Sequence, residues 1–286
     1  MPPTKKMAET VTDSSSALAK VLGYTFGRTL GEGSYSKVRT AKSPEGKILA
    51  CKQINKECAG KDFIERFLPR ELGIICNIKH PHIVTVHKVY EIANIIYIFM
   101  DFCQNGDLLE YIRKNGNFSE KTSKELFRQV AGAVDYLHGL DLAHRDLKCE
   151  NIMLMADNRV KLGDFGFARH CKTAHGEEIM SKTFCGSSAY AAPEIIQALE
   201  YEPKKYDMWA MGCILYIMTC ASMPFDDSNI KKMIKLQLSR HIHAVIAKWE
   251  TRTEALKYLL CGLLEPCTKE RYTIEDAINS QWLKED

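Results

Sequence analysis

The sequence predicts an α+β protein of two lobes: a small β-rich N-lobe with one main helix, then a larger, mostly helical C-lobe. Three observations predict it. Over residues 24–54, apolar and polar residues alternate around Gly31, Gly33 and Gly46, the pattern of strands joined by turns. Two β-branched runs, residues 83–86 and 95–98, add further strands to the same part of the chain. Beyond about Phe102 the apolar residues recur at helical spacing over several long segments.

Residues 1–23 mix Pro, Lys and Thr with the run Ser14-Ser15-Ser16 and are expected to form a flexible extension. Residues 62–78 read as a helix, with Phe63, Phe67, Ile74, Ile75 and Ile78 on one broad face. Pro69 lies inside that pattern and predicts an early break or kink. The N-lobe is placed at about 24–101 and the C-lobe at about 104–283, joined near Asp101-Phe102-Cys103. In the C-lobe, residues 108–112, 123–137, 205–219, 253–264 and 274–283 read as helices. Short strands are expected around residues 152–155 and 160–162.

A length of 286 residues suits one two-lobed enzyme, and 45% apolar with 26% charged residues is ordinary for a globular chain. The net charge of +3, spread without blocks of like sign, gives no argument for nucleic acid or a membrane as partner. Residues 208–225 carry no charged side chain, close to the length of a membrane span. Pro224, Ser222 and Thr219 interrupt its end, and acids rather than basic anchors flank it, so a buried core helix is the better reading. Eleven cysteines without CxxC spacing, and no signal peptide, read as reduced thiols of a cytoplasmic protein. For Cys149 and Cys185 a redox switch stands beside the favoured reading of small half-buried thiols.

Five motifs then follow in order: Gly31-Glu32-Gly33-Ser34-Tyr35-Ser36-Lys37-Val38, Leu49-Ala50-Cys51-Lys52, His144-Arg145-Asp146 with Lys148 and Asn151, Asp164-Phe165-Gly166, and Ala192-Pro193-Glu194. Glycines let backbone N–H groups approach phosphate oxygens, because no Cβ intrudes. A helix does not follow directly, as a dinucleotide fingerprint would require; Val38 instead suits packing on an adenine ring. Lys52 stands nineteen residues before Glu71, and an ion pair between them would aim Lys52 at the α- and β-phosphates. The plainer alternative for Glu71 is a solvated helix charge. Asp146 would accept the proton of an attacking hydroxyl, and Lys148 would offset the charge of the transferring group. Asn151 and Asp164 supply the few hard oxygens that Mg²⁺ prefers when phosphates complete its shell. Thr183 lies in a Ser/Thr-rich segment between Asp164 and Glu194, and a phosphate there would find Arg145 as its clamp.

This set, in this order, resembles the eukaryotic protein kinase domain over residues 24–283. Lys148, two residues after Asp146, is similar to serine/threonine kinases. The segment Thr183-Phe184-Cys185-Gly186-Ser187 resembles the calcium/calmodulin- and AMP-activated-kinase-like branch. Phe67-Leu68-Pro69-Arg70-Glu71, Asp146-Leu147-Lys148-Cys149, residues 181–186 and residues 223–233 are similar to the testis-specific serine/threonine kinases. The resemblance implies a bilobal fold that binds ATP and Mg²⁺. Leu30, Gly31, Gly33, Ser34, Val38 and Ala50 would line the nucleotide. Met100 would be the gatekeeper, the backbone near Asp101 and Cys103 would bond the adenine, and Asp107 would lie near the ribose. Phe165 would be a structural residue, Asp207 would brace the catalytic loop, Glu194 would pair with Arg271, and Ser187 would touch Asp146 and Lys148. Protein substrates follow from the resemblance. It admits an upstream activating kinase and a chaperone as further partners, and suggests a role in sperm formation.

Three departures qualify the resemblance. Ser36 replaces the third glycine of the loop. Ser188 stands where most serine/threonine kinases have proline, which predicts a less rigid substrate loop. Glu150 is acidic, as in kinases selecting basic peptides, but Ile217 occupies the position that often supplies a second acid. Two other readings stay open: a kinase of the same branch without a germ-cell role, and a pseudokinase scaffold, which the presence of Lys52, Asp146 and Asp164 disfavours.

Overall fold

The computed structural model describes residues 22–173, 175–183 and 186–285. The extension through residue 21, Phe184, and Cys185 with its redox reading lie outside the described residues. The chain divides into two compact units, Met1–Lys79 with Val84–Cys103, and His80–Ile83 with Gln104–Asp286.

The first unit is built on one antiparallel sheet of β1 (Thr25–Glu32), β2 (Ser36–Lys42), β3 (Ile48–Asn55), β4 (Val86–Ile92) and β5 (Ile95–Asp101), in the order β1-β2-β3-β5-β4. Alternation sends side chains to two faces. Leu49 and Cys51 of β3 join Tyr97 and Phe99 of β5, with Tyr24 and Ala41, in one buried cluster. Ile54, Ile96 and Ile98 form the other with Leu68, the first residue of α1 (Leu68–Ile75). Gln53 is an oddity: 3% exposed, with neither amide atom hydrogen-bonded.

The expected helix over residues 62–78 forms as two pieces, a π-helical turn Phe63–Phe67 and then α1. Pro69 falls in the first turn of α1, where its missing N–H removes no helical bond. Residues 83–86 do not make the strand that their β-branching predicts. After Pro81 the Ile83 N–H turns back to His80 O at 3.1 Å, and β4 starts only at Val86. Ile83 and Val84 are buried all the same, so the run marks core rather than ladder. The segment His80–Ile83 clusters with the second unit: His80 stacks on Tyr136 and Ile83 bridges to Leu162.

The second unit begins with α2 (Leu108–Asn115), capped by the Asp107 carboxylate on Glu110 N–H at 2.8 Å, and α3 (Glu120–Gly139), capped by Ser119. Short strands follow: β6 (Leu142–Ala143), β7 (Ile152–Leu154), β8 (Val160–Leu162) and β9 (Arg169–His170), pairing β6 with β9 and β7 with β8. The remaining helices are α4 (Pro193–Ile196), α5 (Pro203–Cys220), α6 (Ile230–Leu238), α7 (His241–Ala247), α8 (Glu254–Leu263), α9 (Ile274–Ile278) and α10 (Gln281–Lys284). Helix α5 is buried on every side through its middle, which is why its sequence has no polar stripe. It ends at Ala221, whose φ of 53° is left-handed. Among the described residues no helix is long and apolar enough to cross a membrane. The expected helix at 274–283 is broken in two, because Ser280 caps a new start by accepting from Leu283 N–H.

Candidate active site

In the first unit, β3 positions Lys52 by register. Lys52 pairs with Val38 on β2 and with Ile98 on β5, and Ala50 pairs with Met100. Its ammonium donates to Glu71 Oε1 at 3.5 Å, with side chains 26% and 12% exposed. The loop between β1 and β2 closes on itself, Gly33 N–H donating to Ser36 O at 2.8 Å. A Cβ on Gly31 would meet nothing within 4 Å, whereas one on Gly33 would lie 3.2 Å from Ser36 Oγ. Leu30, Gly31, Gly33 and Ser34 are all exposed, open to a ligand. Ser36 therefore both closes the turn and crowds it. The Asp101 carboxylate accepts from Thr85 N–H at 3.1 Å and from His87 Nε2 at 2.8 Å, which fixes the backbone that runs on to Cys103.

In the second unit, the catalytic-loop candidates converge. Asp146 is 4% exposed. Its Oδ2 accepts from Lys148 Nζ at 2.9 Å and Asn151 Nδ2 at 3.0 Å, and its carbonyl accepts from Asn151 Nδ2 at 2.8 Å. With its amide nitrogen so committed, Asn151 keeps Oδ1 for other work. Asn151 O accepts from Gly163 N–H at 2.8 Å, which ties the first motif to the residue before Asp164. Asp164 is exposed, has a left-handed φ of 56°, and accepts from Gly166 N–H at 3.3 Å. Phe165 is buried edge-on against His144 at 4.9 Å between centroids.

Asp207, 1% exposed on α5, holds this loop by its backbone. Oδ2 accepts from His144 N–H and Oδ1 from Arg145 N–H, both at 2.8 Å. Arg145 needs that support, because its φ of 63° lies in the left-handed region that a residue with a Cβ rarely adopts. His138 Nε2 on α3 adds a third bond to Asp207 at 2.9 Å. His144 Nε2 faces Gly163 O at 3.0 Å and its Nδ1 faces Asp146 N–H at 3.3 Å, a pair that requires the proton on Nε2.

The segment after Asp164 is pinned at several points. Arg145, 4% exposed, donates to Phe167 O at 2.9 Å, to Ser181 Oγ at 2.9 Å and to Tyr201 Oη at 3.4 Å. Tyr201 in turn donates to Thr183 O at 3.0 Å, while the Thr183 side chain is exposed. Arg271 grips Glu194 with two bonds of 2.7 and 2.9 Å and lies over the Trp209 ring. Among the described residues Ser187 has no hydrogen bond to Asp146 or Lys148. Its carbonyl accepts from Tyr190 N–H and its backbone is extended, while Lys148 already closes on Asp146. Gly186 makes the close approach instead. With φ of 90°, a Cβ there would lie 3.1 Å from Arg145 O and 3.2 Å from Asp146 Oδ1.

Sequence reasoning missed His138, Gly186, Tyr190 and Gln237. Tyr190 Oη accepts from Cys149 N–H at 3.3 Å and donates to Glu150 Oε2 at 3.1 Å, and burial pushes its phenol well above the ordinary range. Gln237 donates to Ala191 O at 3.0 Å. His138 had a signal, an imidazole on the apolar face of α3. Burial raises the Cys149 thiol to about 12, so it packs rather than reacts. The exposed cysteines among the described residues are Cys58 and Cys76, both in the first unit.

Among the described residues no group of three His, Cys, Asp or Glu stands ready to hold a metal. The Asp164 carboxylate and the Asn151 amide oxygen suit Mg²⁺ that is carried in on phosphates, since phosphate oxygens complete its shell.

Comparison with known proteins agrees with this geometry. The protein kinase domain family matches residues 24–283. Testis-specific serine/threonine-protein kinase 2 of Mus musculus is 43% identical over 271 residues, 94% of this chain and 75% of that protein. Testis-specific serine/threonine-protein kinase 3 of Homo sapiens is 43% identical over 266 residues, 91% of this chain and 96% of that protein. Serine/threonine-protein kinase 33 of Bos taurus is 36% identical over 282 residues, 95% of this chain and 57% of that protein.

Proposed function

The chain belongs to the protein kinase family as a serine/threonine protein kinase of the testis-specific branch, and from that premise we propose how its residues divide the work. Lys52, steadied by Glu71, binds the α- and β-phosphates of ATP, and the exposed loop from Gly31 to Ser34 covers them through backbone N–H groups. Asp164 and Oδ1 of Asn151 would hold Mg²⁺, which would supply charge neutralisation at the phosphate oxygens.

Asp146 carries the reading. Its Oδ2 is occupied by Lys148 and Asn151, which leaves Oδ1 to orient the substrate hydroxyl and take its proton. Lys148 then stands beside the transferring group and offsets its charge. Lys148 and Asn151 are already bonded to Asp146 before substrate arrives, and such positioning is how a phosphoryl-transfer barrier is lowered.

Regulation in this reading acts through Thr183. Its exposed hydroxyl is open to modification by an upstream kinase or by the enzyme itself, and its carbonyl is one hydrogen bond from Tyr201, a partner of Arg145. The relatives are named testis-specific, which supports a role in sperm formation for this chain. Ten free cysteines among the described residues support the reducing cytoplasm, and a chaperone completes the partners in this reading.

The test is phosphate transfer from Mg·ATP to a basic serine peptide. Wild type transfers and Asp164→Asn does not, while Thr183→Ala transfers more slowly. An inert wild type already phosphorylated on Thr183 would overturn the catalytic reading in favour of a scaffold, and full activity of Thr183→Ala would remove the switch.

A further inference from the structure

Ser188, the departure that predicted a less rigid loop, is not loose. Its Oγ donates to Asp227 Oδ2 at 2.8 Å. Ser188 opens the short 3-10 turn Ser188–Tyr190. The far end of that turn is fixed by Tyr190, bonded to Cys149 N–H and Glu150 in the catalytic loop. The next carbonyl, Ala191 O, is held by the buried Gln237 of α6. Without Asp227 the turn would be anchored at its exit alone.

Asp227 is itself mounted firmly. It follows Phe225, which is buried and stacks on Trp209 of α5 at 5.6 Å and 13°. The bond from Ser228 N–H to Asp226 at 3.0 Å spans it, and beyond it Asn229 caps α6 by accepting from Lys232 N–H at 3.0 Å. The carboxylate thus sits on a short rigid span between two helices. The turn it holds begins two residues after Gly186, whose backbone lies against the carboxylate of Asp146.

We infer that Asp227 is a positioning residue for peptide recognition: through Ser188 it latches the entry of the turn and so fixes the surface on which a serine or threonine peptide lies. This rests on the kinase reading above. Both partners are exposed, so the bond contributes little to global stability and acts on local order instead. The latch does what a proline does at that position by another route. Among the described residues no backbone acceptor is bonded to Ser188 N–H, the first of the turn, so proline there costs no bond among them.

Two readouts test this: steady-state kinetics with a serine peptide, and deuterium uptake of residues 186–197. Ser188→Ala and Asp227→Ala are each expected to raise the peptide KM about fivefold, the effect of one net hydrogen bond, with the KM for ATP unmoved. The double variant is expected to be no worse than either single one, because both remove the same bond. Asp227→Asn, which keeps an acceptor oxygen, retains most of the effect of wild type. Ser188→Pro restores the peptide KM and makes a further Asp227→Ala change silent. Uptake over 186–197 quickens in the two alanine variants and not in Ser188→Pro. Additive KM effects, or unchanged uptake in both alanine variants, would overturn the latch. A wild type without transfer would sink the kinase reading, and uptake would still decide whether the latch exists.

Discussion

The lysine of the sheet unit and the aspartate of the helical unit are held in different ways. Lys52 meets Glu71 through one contact at 3.5 Å, and both side chains keep some exposure. Asp146 is almost fully buried, bonded to Lys148 and Asn151, and its loop is tied to the core helix α5 by two backbone bonds to Asp207. The first arrangement is cheap to open and cheap to restore. The second is part of the fold, so its geometry exists whenever the unit is folded. Adjustable chemistry belongs to the sheet unit, and constant chemistry to the helical one.

That contrast can be broken in order of size. Asp207→Ala is expected to abolish transfer and to cost about 3–5 kcal/mol in urea unfolding, because two buried N–H groups and His138 lose their acceptor together. Arg271→Ala leaves the Glu194 carboxylate buried and unpaired, and a loss of about 3–5 kcal/mol is expected by the same measurement. Glu71→Gln, in the sheet unit, should lower transfer by about tenfold to a hundredfold while changing stability by less than about 1 kcal/mol. A large stability loss there would show that the sheet-unit pair is structural after all. Smallest is Gln53→Leu, expected to stabilise by about 1 kcal/mol, since it removes two buried polar atoms that have no partner.

The sequence made the chemistry legible because the motif residues act within a few positions of one another. Asp146, Lys148 and Asn151 sit on one loop, and the loop folds them together. What it hid are bonds between distant segments, such as His138 to Asp207, Tyr190 to Glu150 and Ser188 to Asp227. No local pattern encodes such partners. The strand expected at residues 83–86 failed because β-branching signals burial as readily as pairing. Helices α6 and α7 went unread because each buries only two side chains, too few to make a clear stripe. Residues 208–225 carried the opposite fault, a helix so fully wrapped that it imitated a membrane span.

The placing of the thiols has a practical outcome. Cys58 and Cys76 lie open to solvent on the sheet unit, while Cys149, Cys171 and Cys213 are sealed within the helical one. Burial raises the Cys149 and Cys171 thiols to about 12 and pushes the Cys213 thiol well up too, beyond the reach of a maleimide near neutral pH. Among the described thiols, a dye added to the native protein therefore marks Cys58 and Cys76 of the sheet unit ahead of the sealed ones. Paired with an acceptor installed on the helical unit, it becomes a ruler for any movement of one unit against the other as nucleotide binds.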